Sequence, residues 1–188
     1  KPFIRKQDLF TQYGVAAAYQ AIKQSGLASQ GEGQNIDPFR LGVYFGSGIG
    51  GFATQYREIA KMIEDPSGQW ISPLFIPTMI SNIAAGHIAI MHHAEGPCLD
   101  IVTACATSTN AMGEAFRAIR NGYADAIITG GCENATIPIG IVGFANAKAL
   151  SRATDPKYAS LPFNANRAGF VMADGSAALV LEEYEHAK

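Results

Sequence analysis

Between Pro97 and Thr129 the chain reads strand, helix, strand, and that succession restricts it to an α/β layer architecture with a largely parallel sheet. Pro97 to Val102 and Ala126-Ile127-Ile128-Thr129 are short apolar runs bounded by turn residues, the mark of buried strands. Ala106 to Asn121 places Met112, Ala115, Phe116 and Ile119 on one helical stripe, and Gly122 closes it. The rest of the sequence continues the alternation. Asp8 to Ser25 predicts a helix with Val15, Ala18, Tyr19 and Ile22 inward and Gly26 as its stop. Residues 28–39 read as a loop, Leu41 to Phe45 as a strand, and Phe52 to Glu64 as a helix stopped by Asp65-Pro66-Ser67-Gly68. Residues 78–91 predict a further helix with Ile80, Ile83, Ala84, His87 and Met91 on one face. Ser151 to Ala168, with Pro156 and Pro162, is irregular, and Ala177 to Leu181 is a last strand.

A chain of 188 residues, 48% hydrophobic, is long enough for one domain with a true core, so residues 1–188 are expected to form a single domain. A net charge of −2 excludes the basic footprint of a nucleic-acid binder. Charged residues make up only 16% and glycines number 20, which points to close backbone approaches and a face covered by another copy. Cys98, Cys105 and Cys132 are an odd set with no regular spacing, against a disulfide framework and in keeping with a reducing, cytoplasmic setting. No spacing suggests a zinc site, no apolar run reaches the ~20 residues of a membrane span, and no signal peptide is visible, although the chain opens at Lys1-Pro2 without an initiator Met.

Cys98 and Cys132 lie in strand-like runs and read as small core residues. Cys105 is placed differently. It falls where the strand ending at Val102 meets the helix starting near Ala106, at the carboxyl end of a strand where α/β sheets bind ligands. Unpaired helix-start amides and the positive end of the dipole favour a thiolate there, and the thiolate is the nucleophile. Small neighbours (Ala104, Ala106, Thr107, Ser108) leave room for a substrate. On these local grounds Cys105 is either a reactive nucleophile or another small core residue. Gly46-x-Gly48-x-x-Gly51 offers a competing reading, since it matches a dinucleotide fingerprint and follows a strand. The acidic residue expected ~20 positions on is missing, as Glu64 and Asp65 abut a turn rather than end a strand, so a turn for close backbone packing is the plainer reading. His87 reads as a hydrogen-bonded core residue, His92 and His93 as a helix end, and His186 as solvated; none pairs with Cys105 by spacing.

Thr103-Ala104-Cys105-Ala106-Thr107-Ser108 resembles the nucleophile motif of β-ketoacyl-acyl carrier protein synthases, the condensing enzymes of fatty-acid synthesis. Gly46 to Gly51, Ile71-Ser72-Pro73, Asn82-x-x-Ala85-Gly86-His87 and Gly130-Gly131-Cys132-Glu133 are similar to that family in order and spacing. So are Gly143-Phe144 with Lys148 to Ser151, and Pro162-Phe163 with Arg167-x-Gly169-Phe170-Val171. The likeness covers essentially the whole chain and is strongest to the bacterial type II members that elongate longer acyl chains.

The resemblance implies a thiolase-like fold of two similar halves, each a mixed, mostly parallel sheet covered by helices. This chain would be most of the N-terminal half, with the first strand lying before Lys1 and the catalytic histidines, a lysine and a phenylalanine gate in the second half. The chain alone is therefore expected to be inactive. The resemblance further implies that Cys105 takes an acyl group from acyl carrier protein and that a malonyl-bearing carrier protein then condenses with it, losing carbon dioxide. It places Ala104, Ile49, Phe75 and Phe144 along the acyl slot, some reaching in from a second subunit of a homodimer, and Arg5, Lys6 and Lys148 on the carrier-protein docking surface. It calls for no cofactor, no metal, no nucleic acid and no membrane insertion. The sequence departs from the family pattern at Asn164, Ala168, Ala173-Asp174-Gly175 and Gln69-Trp70, which touches local salt bridges and the docking surface but not the nucleophile. Non-catalytic chain-length-factor relatives, which lack the cysteine, match poorly. Outside this activity the sequence leaves open a thiolase or polyketide ketosynthase, a dinucleotide-dependent oxidoreductase, and a segment without turnover.

Overall fold

The computed structural model describes residues 6–188. Four strands, β1 (Leu41–Gly46), β2 (Cys98–Leu99), β3 (Ala126–Glu133) and β4 (Gly175–Glu182), form one sheet in the order β2-β1-β3-β4. β1 runs parallel to β2 and β3, and β4 returns antiparallel to β3. The β2-to-β3 connection therefore passes over β1, carrying the crossover helix α5 (Thr107–Arg120). The remaining helices are α1 (Leu9–Ser25), α2 (Phe52–Glu64), α3 (Phe75–Met79), α4 (Ile83–Met91), α6 (Pro138–Asn146) and α7 (Tyr184–Ala187).

β1 is buried throughout and β3 nearly so, because helices cover both faces. Their side chains divide by the pleat. Val43, Phe45 and Ile128 join Phe10, Val15 and Ala18 of α1 and Ala84, Ala85 and Ile88 of α4 on one face. Tyr44 and Ile127 meet Ala115 and Ala118 of α5 on the other. Asp8 caps α1 by accepting the Phe10 N–H at 3.4 Å, and Gly26, at φ 74°, stops it. At Gly14 a Cβ would lie 3.0 Å from Cys132 Sγ, so the absent side chain lets α1 settle directly on β3.

The alternation read from the sequence holds, but several inward stripes are rotated. In α5 the buried residues are Thr107, Ala111, Ala115 and Ala118, while Phe116 is 57% exposed. Small side chains face the sheet because the helix packs close to it, so size outweighs hydrophobicity in choosing the face. In α1, Tyr19 points out and Phe10, Thr11 and Gly14 point in. The helix expected over 78–91 is two, broken where Ile80 adopts extended backbone, and the shift in phase buries Ala84, Ala85 and Ile88 instead of Ile80, His87 and Met91. The strand expected over 97–102 pairs only through Cys98 and Leu99. As this is the sheet edge, Cys98 is exposed and not a core residue; Cys132 is buried as expected. β3 and β4 run longer than read, since their pairing continues through Gly130 and Gly131. His186 is not simply solvated, because its Nδ1 lies 2.6 Å from Glu182 Oε1.

Candidate active site

The parallel pairing of β1 with β3 ends at Gly46 and Gly131, and the residues that follow on each strand build the walls of one cavity of about 490 Å³. The turn after β1 contributes Ser47, Gly48 and Ile49. The segment after β2 contributes Ala104 and Cys105, and the end of β3 contributes Cys132 and Glu133. Phe144 of α6 and Phe170 close the far side, their rings edge to face with centroids 5.4 Å apart.

Cys105 occupies a single helical turn, Ala104–Ala106, that leads into α5, and it is exposed to the cavity mouth. Three features hold it there. Thr103 N–H donates to Thr107 Oγ1 at 3.0 Å, and Asn110 Nδ2 donates to Thr103 Oγ1 at 2.6 Å. Ala104 adopts φ 51°, a left-handed conformation that costs an L-residue ~1–2 kcal/mol. The backbone therefore reverses just before the sulfur and presents it outward. Gly46 lets β1 pass directly beneath, as a Cβ there would lie 2.0 Å from Ile101 O. The turn's own hydrogen bonds run from Ala106 N–H to Thr103 and from Thr107 N–H to Ala104, and neither uses the Cys105 amide. No side chain caps the N-terminus of α5, so its first amides also face the turn unclaimed by a cap.

Glu133 is a titratable acidic residue lining this cavity. Its carboxylate accepts the Ser47 hydroxyl at 3.0 Å and the Gly48 N–H at 2.8 Å, and burial holds its pKa above the usual carboxylate range. Behind the same turn, Asp100 accepts the Ser81 hydroxyl at 2.5 Å and is likewise raised by burial. Burial also pushes the Cys132 thiol far up, which fits a buried structural cysteine.

Of the slot residues expected from the sequence, Ile49, Ala104 and Phe144 share the Cys105 cavity. Phe75 does not. It lines a separate cavity of about 440 Å³ between α1, α2 and α3, together with Lys6, Thr54 and Glu58. Within one chain Phe75 and Cys105 are on different elements facing different spaces. Lys6 and Lys148 are exposed, Lys148 in a left-handed conformation just after α6, and Arg5 lies outside the described residues. Sequence reasoning missed Glu133, Phe170 and Met172 as cavity residues. The dinucleotide reading fails at the turn itself, where a carboxylate already holds the Gly48 amide and would repel a pyrophosphate. None of His87, His92, His93 and His186 lines the cavity; burial lowers the pKa of His87 and His92. Among the described residues no three His, Cys, Asp or Glu side chains come together as a metal site, and no helix is long and apolar enough to cross a membrane. Asp174, at one of the departures from the family pattern, is fully engaged, accepting the Ala135 N–H at 2.8 Å and the Asn134 amide at 2.8 Å.

Comparison with known proteins places these features. Residues 3–187 match the family model described as beta-ketoacyl synthase, N-terminal domain. The chain is 46% identical over 185 residues to a 3-oxoacyl-acyl-carrier-protein synthase 2 of Vibrio cholerae, covering 98% of this chain and 44% of the relative. It is 43% identical over 185 residues to the like-named protein of Staphylococcus aureus strain N315, covering 43% of it. It thus spans less than half the length of these relatives. In structure it resembles a beta-ketoacyl synthase from Burkholderia phymatum (TM-score 0.82, 28% identity, 97% of this chain and 44% of the other). It also resembles a type II PKS ketosynthase solved in complex with its acyl-carrier protein (TM-score 0.85, 29% identity, 95% of this chain and 44% of the other). The mixed, mostly parallel sheet with its helices is the thiolase-like fold of these proteins.

Proposed function

The chain belongs to the beta-ketoacyl synthase family, and from that premise we propose that it is most of the N-terminal half, a single domain over residues 1–188, of a β-ketoacyl-acyl carrier protein synthase of fatty-acid elongation. Cys105 is its nucleophile. The thiolate attacks the thioester carbonyl of an acyl group borne by acyl carrier protein; a carbon–sulfur bond forms to Cys105 and the carrier thiol leaves. A malonyl-bearing carrier protein then binds and loses carbon dioxide; the resulting carbanion attacks the acyl carbonyl, the carbon–carbon bond forms as the carbon–sulfur bond breaks, the Cys105 thiolate leaves, and the β-ketoacyl product stays on the carrier protein. Covalent capture divides one hard carbon–carbon bond formation into easier steps.

The Cys105 amide, unused by its own turn, is a donor for the oxyanion of each tetrahedral intermediate. Losing one such donor costs ~10²–10³ in rate. The apolar wall of Ile49, Ala104 and Phe144 takes the acyl chain, at ~0.8 kcal/mol per buried CH₂. The histidines that the family likeness places in the other half supply the proton transfers, since none here reaches the cavity. Exposed Lys6 and Lys148, with Arg5, suit an acidic carrier protein, and a second copy supplies the rest of the slot, Phe75 included.

The observation that carries this reading is an exposed cysteine at a helix entrance, beside an apolar-walled cavity at the carboxyl ends of two parallel strands. Incubating the full-length protein with palmitoyl-acyl carrier protein should add one palmitoyl mass to the Cys105 peptide, and Cys105→Ala should abolish it. Acylation at Cys98, which is also exposed, would overturn the assignment.

A further inference from the structure

The turn from Ser47 to Gly50 carries Ile49 into the cavity. Asp100 accepts the Ser47 N–H at its start and the Met79 carbonyl accepts the Gly51 N–H at 2.9 Å just past its end, while the span between them is held by polar bonds to one side chain 85 to 86 residues further along the chain. Glu133 ends β3 and reaches across to the end of β1. One oxygen accepts the Ser47 hydroxyl and the other accepts the Gly48 N–H; the Ile49 N–H points at the same carboxylate. Ser47, 1% exposed, uses its oxygen in turn to accept the Gly50 N–H at 2.9 Å. Three successive amides are thereby gathered by one carboxylate and the hydroxyl it orients.

Gly48 lies between that carboxylate and the nucleophile turn. A Cβ on it would stand 2.8 Å from Glu133 Oε2 and 3.7 Å from Ala104 Cα. The spacing between Ile49 and Cys105 thus follows from where Glu133 holds the turn. A half-buried carboxylate is a costly way merely to fill space. Its particular ability is to accept on both of its oxygens, whereas an amide side chain has one acceptor oxygen and presents NH₂ donors on the other arm.

We infer that Glu133 is a positioning residue for chain-length selection: by clamping Ser47, Gly48 and Ile49 it fixes the depth of the slot that receives long acyl thioesters. The inference rests on the acyl-transfer reading above and goes beyond it in naming the residue that sets the slot. In Glu133→Gln an NH₂ donor replaces one acceptor oxygen; the Ser47 hydroxyl has to turn to accept from it and the Gly48 and Ile49 amides share the single oxygen left, which shifts the turn and Ile49 with it.

The test is a double-mutant cycle in the full-length protein. Acylation of Cys105 by palmitoyl- and hexanoyl-acyl carrier protein is followed by mass spectrometry, and the ratio of the two kcat/KM values is the readout. Glu133→Gln should change that ratio ~10-fold, the scale of about one methylene of pocket fit. In an Ile49→Ala background the same substitution should change it less than ~2-fold, because the group it acts through is gone. Glu133→Asp, which keeps both oxygens on a shorter arm, should fall between wild type and Gln and serves in place of Gln if that variant does not fold. An unchanged ratio, or an equal change in both backgrounds, would overturn the inference. Failure of wild type to form any thioester at Cys105 would instead sink the acyl-transfer reading, so the two failures are distinct.

Discussion

Gly46→Ala is the sharpest probe of how the fold aims Cys105. Gly46 is the last residue of β1, and a Cβ added to it would sit 2.0 Å from Ile101 O and 2.5 Å from Thr107 Cγ2. Ordinary contact begins at 3.4 Å, and the nearer obstacle is backbone, so no side chain can rotate out of the way. Either β1 retreats from its Gly46↔Gly131 pairing or the segment from Ile101 to Thr107 shifts, and that segment holds Cys105. Overpacking of this kind costs ~1–3 kcal/mol of stability. A displacement of about 1 Å at a reacting group costs ~10²-fold in rate. Gly46→Ala should therefore lower the single-turnover acylation rate of Cys105 in the full-length protein ~100-fold. Gly26→Ala is the matched control. Gly26 has φ 74° and open space around it, so alanine there strains the C-cap of α1 by ~1 kcal/mol without pressing on any neighbour. Both variants should lower the urea midpoint, but only Gly46→Ala should slow acylation. Wild-type acylation in Gly46→Ala, or equal slowing in Gly26→Ala, would refute the idea that β1 packing positions the nucleophile.

Two other outcomes are expected. Ile49→Phe places a ring in the slot wall beside Cys105 and should shift the preference toward shorter acyl groups; an unaltered chain-length profile would put the slot elsewhere. Stability should respond to acid in two opposed ways. Arg40 hydrogen-bonds Asp125 at 2.6 Å and holds its pKa below the ordinary value, so that pair stabilises the fold above the usual carboxylate range and is lost as pH falls through the depressed value. Glu133 is raised by burial, so its contribution is present below the ordinary range and is lost as pH rises through the raised value. Urea midpoints measured from acid to neutral pH should lose the first dependence in Arg40→Gln and the second in Glu133→Gln. An unchanged profile in either variant would remove that group from the account.

The sequence revealed what depends on neighbours along the chain. The order of strands and helices follows from periodicity and stop residues, and α2 begins at Phe52 and ends at Glu64, where the turn residues place its limits. The placement of Cys105 at a helix entrance was legible because a strand end and a helix start are both local. The inward stripes were less so. Phe116 looked like core by hydrophobicity and is solvent-facing, because the α5–sheet distance admits only alanines and Thr107. That distance is a property of the packed pair and is written in no single helix. Cys98 looked buried because a short apolar run does not say whether it lies at the centre or the edge of a sheet, and here it is the edge.

Glu133 shows why the site was harder to read than the fold. In sequence it is one acidic residue after Gly130-Gly131-Cys132, and nothing nearby hints that it acts on a turn 85 residues back. The same turn suggested a phosphate cradle, because glycines and free amides are what such a cradle needs. Both readings start from the same amides; they differ in what accepts them. A ligand phosphate would leave the turn's shape dependent on the ligand, whereas an internal carboxylate fixes it before any substrate arrives. A slot that must measure an apolar chain has no polar contact with that chain by which to reshape itself, so its walls have to be set in advance. In this chain Glu133 comes from the strand that follows the crossover carrying Cys105, which ties the Ile49 turn and the sulfur to the same pair of parallel strands.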